Sequence, residues 1–320
     1  MTFTAAPALV VGEALADVVV DAAGGVGRAL PGGSPANVAL GLGRLGHPVR
    51  LATRVGRDAH GGRLRRHLRE GGVLLIPGSV TGEATSTATA TLDASGAAGY
   101  TFDISWSLTA EAAAAVRSGP VAHLHTGSIA AALPPGADTV LAAVRWAAPR
   151  ATVSYDPNLR PDLLGPAEGQ RERVEALVAA SDVVKASDED LAWLYPGADP
   201  DATARHWATG GGPSLVVVTR GARGARAWWR SGTLEVPAPR VTVADTIGAG
   251  DAFTSALISA LLDAGLLGPA PESRARLREA TAPGGLPPVL GGALTLAARA
   301  AALTCTRTGA DPPGRADLAL

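Results

Sequence analysis

The residues best suited to chemistry form a short glycine-containing segment, Gly248-Ala249-Gly250-Asp251. A β-like run leads into this segment, and a helical pattern starts at Asp251. Glycines let the backbone turn its N–H groups toward one point, and the start of a helix adds partial positive charge, so the segment can bind an anion. A carboxylate beside a bound phosphate can accept the proton of an attacking hydroxyl. Asp is also a preferred N-cap residue, so the segment alone permits a purely structural role.

A second glycine pair lies near the N-terminus, in the segment Gly32-Gly33-Ser-Pro-Ala-Asn37. Pro35 is a favoured first-turn residue, which predicts that a helix begins near it and that Asn37 faces whatever sits in the glycine turn. Asp17 lies upstream, after the first predicted strand. A solvated turn carboxylate is the alternative for Asp17.

The strings around these segments, Asp245 to Phe253 and Gly32 to Gly46, resemble the two signatures of the ribokinase-like (PfkB) carbohydrate kinases, especially the fructokinase-like branch. The resemblance covers most of the chain. It implies that Asp251 is the catalytic base and that residues 248–250 form an anion hole. The residues that it implies for binding the sugar hydroxyls are Asp17, Gly32, Gly33 and Asn37.

Two further substrate residues are implied by the segment Tyr155-Asp-Pro-Asn158-Leu-Arg160, which follows a predicted strand. Open α/β sheets form their ligand crevices at such strand ends. In similar family members Asn and Arg of this motif lie near the substrate and the transferred phosphate, and Arg can bind an anion with two parallel hydrogen bonds. The alternative for Arg160 is a surface ion pair.

The resemblance implies that two segments bind the nucleotide, Lys185 to Asp190 and Thr219 to Gly224. In the first, Ser187 and Asp190 replace the Asn and Glu of the family's Asn-x-x-Glu motif, and Asp190 is expected to bind magnesium through a water molecule. A helix N-cap explains Ser187 almost as well. The nucleotide-binding positions implied by the resemblance are Lys185, Ser187, Thr219, Gly221 and Gly224.

The function expected from these motifs is ATP-dependent, magnesium-dependent phosphorylation of a sugar hydroxyl, with fructose or a related ketose as the first expectation. 2-Keto-3-deoxygluconate is the main alternative, although the lid segment Tyr100-Thr-Phe102 lacks the Arg that commonly meets its carboxylate. Ribose, nucleosides and a catalytically silent sugar- or nucleotide-binding regulator also stay open. Asp245, Ile247 and the segment 300–310 could supply a site for a monovalent cation such as K⁺. A dinucleotide-dependent oxidoreductase is disfavoured, because no Gly-x-Gly-x-x-Gly opens the first helix.

The composition and charge of the chain limit its expected binding partners and its expected location in the cell. The formal net charge is -1, which gives no global attraction to nucleic acid or to an anionic membrane. Cys305 is the only cysteine, and no basic region followed by a long apolar run opens the chain, so the sequence predicts a cytoplasmic protein. Gly, Pro and charged residues interrupt every apolar stretch, so no membrane span is predicted.

The elements that must position these residues alternate between β-branched runs and helical stretches, and two of the predicted strands are Ala8 to Val11 and Leu215 to Thr219. This alternation predicts an α/β fold, a three-layer αβα parallel-sheet core. Thr85 to Trp106 breaks the alternation and reads as an antiparallel hairpin with a turn at 94–99. We expect a single kinase domain over residues 1–320, with a small antiparallel β lid inserted from about 14–30 and 84–106. The edge of this lid could pair with a second subunit to form a homodimer.

Overall fold

The β-branched runs of the sequence form the strands of a large sheet, and Ala8–Val11 and Leu215–Thr219 occupy the predicted bounds. The computed structural model describes residues 6–20, 26–92, 98–283, 285 and 287–320. The strands in this part of the chain are β1 (Ala8–Val11), β2 (Leu15–Val20), β3 (Val26–Gly32), β4 (Val49–Ala52), β5 (Val73–Leu75), β6 (Thr87–Leu92), β7 (Ala98–Asp103), β8 (His123–Gly127), β9 (Thr152–Asp156), β10 (Val183–Ser187), β11 (Leu215–Thr219), β12 (Ala225–Trp229) and β13 (Gly232–Val236).

The main sheet has nine strands in the order β13-β12-β11-β10-β9-β8-β1-β4-β5. From β11 to β5 every neighbouring pair is parallel, and β12 and β13 add an antiparallel hairpin at one edge. The predicted α/β class with a mostly parallel sheet is therefore confirmed.

Helices cover both faces of the main sheet, as predicted. They are α1 (Ser34–Arg44), α2 (Ala59–Glu70), α3 (Ala110–Val116), α4 (Ser128–Ala132), α5 (Gly136–Ala147), α6 (Pro161–Leu164), α7 (Glu168–Ala179), α8 (Asp188–Leu194), α9 (Pro200–Thr209), α10 (Ala249–Asp263), α11 (Glu272–Ala280) and α12 (Pro287–Cys305). Successive residues of β11 show the layering: Leu215 and Val217 join one hydrophobic cluster, whereas Val216 and Val218 join the other. A buried parallel strand is apolar on both faces, which explains the uninterrupted run of Val residues.

Helix α12 is long and apolar enough to cross a bilayer, and it is the one helix of the described chain that passes this test of length and composition. Leu290, Leu294 and Ala297 on this helix are buried in the hydrophobic core. The core helix of a globular protein has the same composition, so α12 is explained by its packing.

A second, smaller sheet contains four strands in the order β3-β2-β6-β7. The pair β6–β7 is antiparallel, as the hairpin pattern predicts, and β2–β3 is antiparallel too. The central pair β2–β6 is parallel, so the predicted antiparallel lid is a mixed sheet. Most of the predicted turn at 94–99 lies outside the described residues, because 93–97 are not described. Residues 21–25, which are part of the predicted insertion 14–30, also lie outside them. Strand β2 contains Asp17 and strand β3 ends at Gly32, so this small sheet carries two of the candidate substrate-binding residues.

The strand order reverses between β1 and β8. The chain adds β4 and β5 on one side of β1 and then adds β8 to β11 on its other side. Open α/β sheets bind their ligands at such a reversal, in the crevice outside the carboxyl ends of the strands. The segments that follow β1, β8, β9 and β10 therefore converge on the place where a site is expected.

Candidate active site

Asp251 lies in the first turn of α10 and is held by two side chains from the start of α1. The Ser34 hydroxyl donates to Oδ1 at 2.7 Å, and the Asn37 amide donates to Oδ2 at 2.8 Å. Asp251 is only 7% exposed. Each carboxylate oxygen can accept more than one hydrogen bond. The carboxylate is thus oriented by the protein and keeps capacity for a hydroxyl donor.

The first turn of α10 also presents free backbone N–H groups. Gly248 is the N-cap, with φ of 76°, a left-handed conformation that favours glycine, and a Cβ there would meet the Cβ of Ala310 at 2.6 Å. The N–H of Ala249 donates to the Thr246 carbonyl at 3.3 Å, whereas the N–H groups of Gly248 and Gly250 donate to no described residue. Unpaired N–H groups at a helix start favour an anion, so this turn can serve as the predicted anion hole.

The glycine pair before α1 exists because two carboxyl-bearing segments press against it. A Cβ on Gly32 would lie 2.1 Å from Oδ2 of Asp17, and Gly33, with φ of 98°, would clash with the carbonyl oxygen of Glu13 at 2.7 Å. Burial, followed by the negative charge of Asp251, raises the pKa of Asp17 to about 6, and the positive charge of Arg160 opposes this. Asp17 therefore packs against the glycine turn, and the helix that follows this turn holds Asp251 through Ser34 and Asn37.

A buried ion pair lies on the other side of the anion hole. Nζ of Lys185 donates to Oδ2 of Asp156 at 3.1 Å, and the Thr254 hydroxyl donates to the same oxygen at 3.0 Å. The Lys185 ammonium also lies beneath the start of α10, because a Cβ on Gly250 would be 3.2 Å from Nζ.

Electrostatics keeps this pair charged. Burial lowers the pKa of Lys185, but the carboxylates of Asp156, Asp190 and Asp251 more than offset this and leave it above its usual value. Burial raises the pKa of Asp156 to about 6, against the opposing effect of Lys185. A fixed positive charge thus faces the turn that carries the free N–H groups.

Asn158 and Arg160 lie on the loop that follows β9. Asn158 has φ of 38°, in the left-handed region that Asn tolerates. Nη1 of Arg160 donates to Oδ1 of Asn158 at 2.7 Å and to the backbone carbonyls of Asn158 and Leu159. The guanidinium is exposed and folded onto its own loop, and its charge acts on the pKa of Asp17.

Ser187 and Asp190 form the capping box of α8, as the N-cap alternative predicts. Oδ2 of Asp190 accepts hydrogen bonds from the backbone and the hydroxyl of Ser187, and Oδ1 accepts from the backbone N–H of Leu159 at 2.7 Å. Asp190 therefore also fixes the loop that carries Arg160. The water-mediated contact with magnesium stays a prediction.

The second nucleotide segment lies beside the first, because Thr219 and Ser187 are partners in the β10–β11 register. Gly221 and Gly224 have φ of 52° and 88°, and a Cβ on Gly224 would lie 2.1 Å from the Val236 carbonyl. These glycines turn the chain from β11 into β12. The segment lies at the carboxyl end of β11, where the resemblance implies nucleotide binding.

The residues expected for a monovalent cation also come together. Oδ1 of Asp245 accepts from the N–H of Ile247 at 3.0 Å, and Oδ2 accepts from the N–H of Gly309 at 2.8 Å. The N–H of Ala244 donates to the carbonyl of Cys305. The 244–247 segment therefore lies against the end of α12, and the bound cation stays a prediction.

Three residues of the site had no role in the sequence expectations: Ser34, Asp156 and Thr254. Ser34 lies in the segment Gly32 to Asn37 and Asp156 in the segment Tyr155 to Arg160, so their place in these motifs is the signal that could have identified them. Thr254 is three residues after Asp251, which places it on a neighbouring position of the same helix face. Only the fold shows which partner each of them takes.

A buried carboxylate oriented at a helix start, free N–H groups above a buried ammonium, and a small sheet that carries Asp17 are the parts that a sugar-kinase type of site requires. Comparison with known proteins agrees. The pfkB family carbohydrate kinase model matches residues 8–316. A fructokinase of Klebsiella pneumoniae is 35% identical over 266 residues, covering 80% of this chain and 85% of that protein.

Solved structures extend the likeness to the whole fold. A crystal structure of fructokinase with bound ATP from Xylella fastidiosa has a TM-score of 0.80 and 26% identity, and covers 98% of this chain and 97% of that one. A fructokinase double mutant from Vibrio cholerae O395, in fructose-, ADP- and potassium-bound form, has a TM-score of 0.74 and 25% identity, with coverage of 100% and 99%. The chain belongs to the pfkB family of carbohydrate kinases, and it is an ATP-dependent enzyme of that class.

Proposed function

We propose that this kinase phosphorylates fructose or a related ketose, with Asp251 as the general base. The observation that carries the proposal is the Asp251 carboxylate, oriented by Ser34 and Asn37 beside free N–H groups of the α10 start. The named fructokinases among its relatives support the choice of sugar.

Phosphoryl transfer needs a hydroxyl placed in line with the γ-phosphate and stabilisation of the charge that develops on it. In the proposed reaction, Asp17, Gly32, Gly33 and Asn37 orient the sugar. Asp251 accepts the proton of the attacking hydroxyl, and that oxygen forms the new bond to phosphorus as the bond to ADP breaks.

The anion hole of residues 248–250 and the Lys185 ammonium then stabilise the transferred phosphoryl group, together with Arg160 on the opposite loop. Lys185 suits this role because it is held rigidly by Asp156, so little reorganisation is needed during reaction. Ser187, Thr219, Gly221 and Gly224 border the proposed ATP position at the carboxyl ends of β10 and β11.

Magnesium, bound with ATP, would neutralise phosphate charge during transfer. One observation fits its presence: Oδ1 of Asp156 is buried and has no hydrogen-bond partner in the described part of the chain. No group of three or more His, Cys, Asp or Glu suited to hold a metal occurs among the described residues. Asp156 and Asp190 would therefore supply one or two contacts, and the ATP phosphates the rest, as is usual for magnesium.

The charge around the sugar position favours a neutral substrate. Asp17 and Asp251 are both acidic, Arg160 is the cation that acts on Asp17, and the Lys185 ammonium interacts with Asp251. An acid sugar such as 2-keto-3-deoxygluconate would place a carboxylate near these groups and would compete with phosphate for Arg160. The relatives and this charge balance both support a neutral ketose.

We further propose that the chain is one kinase domain and that the small sheet closes over the sugar, since Asp17 and Gly32 lie on its strands β2 and β3. Pairing of two chains through this sheet, and a cytoplasmic location, stay predictions.

The test is ADP release from magnesium-ATP with fructose, ribose, 2-keto-3-deoxygluconate and adenosine. We expect turnover of fructose and a loss of at least about 100-fold in Asp251→Asn, as for removal of an effective general base. Asp263→Asn, at the other end of α10, is the matched control and should keep full activity. Turnover of ribose or adenosine alone would overturn the choice of substrate, and sugar binding by calorimetry without ADP release would support a silent binder.

A further inference from the structure

Glu13 is a buried carboxyl group that the proposed reaction does not use. It follows β1 directly, at the reversal of strand order, and is 3% exposed. Oε2 accepts a hydrogen bond from the backbone N–H of Ala130 at 3.0 Å, on the helix that follows β8. Glu13 therefore links the two strands between which the ligand crevice opens.

The other carboxyl oxygen, Oε1, is buried and has no hydrogen-bond partner among the described residues. An unpaired buried polar atom is costly, so a purely structural carboxyl would be expected to use both oxygens. Burial raises the pKa of Glu13 to about 7, and the nearby backbone groups of Glu13 and Ala130, the Ser128 side chain and the charge of Arg160 oppose this.

Backbone contacts tie Glu13 to the loop that carries Arg160. The segment that Glu13 holds begins at Ser128, which has φ of 56° and whose N–H donates to the carbonyl of Pro157. A Cβ on Gly127 would lie 2.1 Å from the carbonyl oxygen of Asp156, so the two loops are in direct contact. The carbonyl of Glu13 also presses against Gly33.

The Arg160 guanidinium keeps N–H groups that can form further hydrogen bonds. Within the described residues, its hydrogen bonds all use Nη1 and all go to its own loop, and Arg160 forms no ion pair. Arg160 is the charged group that acts on Glu13, and the other groups facing Glu13, Ser128 and the N–H groups of Ala130 and of Glu13 itself, are neutral. The 128–130 segment thus connects Glu13, through Ala130, with the loop that carries Arg160, through Pro157.

We propose that ionised Glu13 is a positioning residue that holds Arg160 and the 157–160 loop in the orientation needed by the sugar and the transferred phosphoryl group. This inference rests on the proposed function for its kinetic consequence, but the contacts that join Glu13 to the 157–160 loop through residues 128–130 belong to the free protein. Glu13→Gln is the matched variant, because its amide oxygen can still accept from Ala130 while the charge is lost.

The kinetic test compares kcat/KM for fructose in the wild type and Glu13→Gln at pH 5.5 and pH 8.5. We expect about a 10-fold loss at pH 8.5, the effect of weakening one charge-assisted hydrogen bond, and agreement within about twofold at pH 5.5, where Glu13 is protonated in the wild type. KM for ATP should not change. In an Arg160→Gln background, Glu13→Gln should have no further effect. Asp182→Asn, a buried carboxyl at the opposite end of the sheet, should show no pH-dependent loss.

A second measurement separates this inference from the proposed function. Urea unfolding of the wild type, both single variants and the double variant should show non-additive midpoints at pH 8.5 and additive ones at pH 5.5, whether or not fructose is a substrate. Equal losses at both pH values, or additive midpoints at pH 8.5, would overturn the role of Glu13. A wild type that turns over no sugar would count against the proposed function and leave the unfolding cycle to decide on Glu13.

Discussion

Buried carboxylates at the two ends of the main sheet differ in how completely they are paired. At the amino end of β10, Asp182 accepts from Nε of Arg274 at 2.5 Å and from Nη2 at 3.0 Å, and its Oδ2 also accepts from the N–H of Val153 at 2.8 Å. At the carboxyl ends of the strands, one oxygen of Glu13 and one of Asp156 have no described partner.

This difference indicates which end of the sheet stabilises the fold and which end is prepared for a ligand. A fully paired carboxylate adds stability and has nothing left to offer. A carboxylate with a free oxygen in a buried place carries a desolvation cost that a ligand, a metal ion or a moving side chain can relieve. The unpaired carboxyl oxygens of Glu13 and Asp156 thus point to the carboxyl end of the sheet as the end prepared for a ligand.

The largest effects are expected when one carboxylate at each end of the sheet is neutralised. Asp251→Asn should lower kcat by at least about 100-fold with little change in stability, since the amide can keep a hydrogen bond to Ser34 or Asn37. Asp182→Asn should do the reverse: we expect a loss of about 1–3 kcal/mol in the free energy of unfolding, with kcat unchanged. Urea unfolding and ADP release on the same preparations check both. Equal effects on activity at the two ends would contradict the division of roles.

The ion pair at the functional end gives the next largest effect. Lys185→Met should cost about 3–5 kcal/mol of stability, because Asp156 is left as an uncompensated buried charge. Adding Asp156→Asn should restore most of that stability without restoring ADP release, since the ammonium beneath the anion hole is still missing. The measurement is the denaturation midpoint together with kcat. A double variant with normal activity would show that the pair serves folding alone.

The pH dependence of the unfolding free energy tests the cost of the unpaired Glu13 carboxylate. The pKa of Glu13 is raised from 4.5 to about 7, so its contribution to stability is complete below about pH 4.5 and is lost as the pH rises through 7. The unfolding free energy of Glu13→Gln, relative to the wild type, should therefore rise by on the order of 3 kcal/mol between pH 4.5 and pH 8. Urea unfolding at the two pH values tests this, and a constant difference would show that Glu13 does not titrate in this range.

The smallest effect is expected for an exposed ion pair at the functional end. Arg223 pairs with Asp188, but the Arg223 side chain is 71% exposed. Exposed pairs contribute about 0–1 kcal/mol, because water screens them and two side chains lose freedom. Arg223→Ala should shift the melting temperature within the error of the measurement. A clear loss would show that exposure is a poor guide to the importance of charges here.

Sequence patterns predicted elements well where burial is two-sided and poorly where polar residues cover apolar ones. The runs of β1 and β11 were predicted to the residue. The hairpin β12–β13 was not expected, because its central Trp228 stands between arginines in the sequence. In the structure, the guanidinium groups of Arg220 and Arg226 lie 5.6 and 5.3 Å from the Trp228 ring centroid and cover it.

The sequence by itself determined the local conformations and the chemistry available at the site. Gly33 and Gly248 adopt the left-handed angles that only glycine takes without strain, and Asp251 stands at the start of a helix because the glycine turn precedes it. These features depend on a few neighbouring residues, so they can be read from a short string.

Only the tertiary structure decided which residues meet. Ser34 and Asp251 are 217 positions apart, and their hydrogen bond exists because α1 and α10 pack on the same face of the sheet. Glu13 faces the loops after β8 and β9 because β1 lies between β4 and β8. The order of strands in a sheet depends on the packing of the whole chain, and no local pattern encodes it.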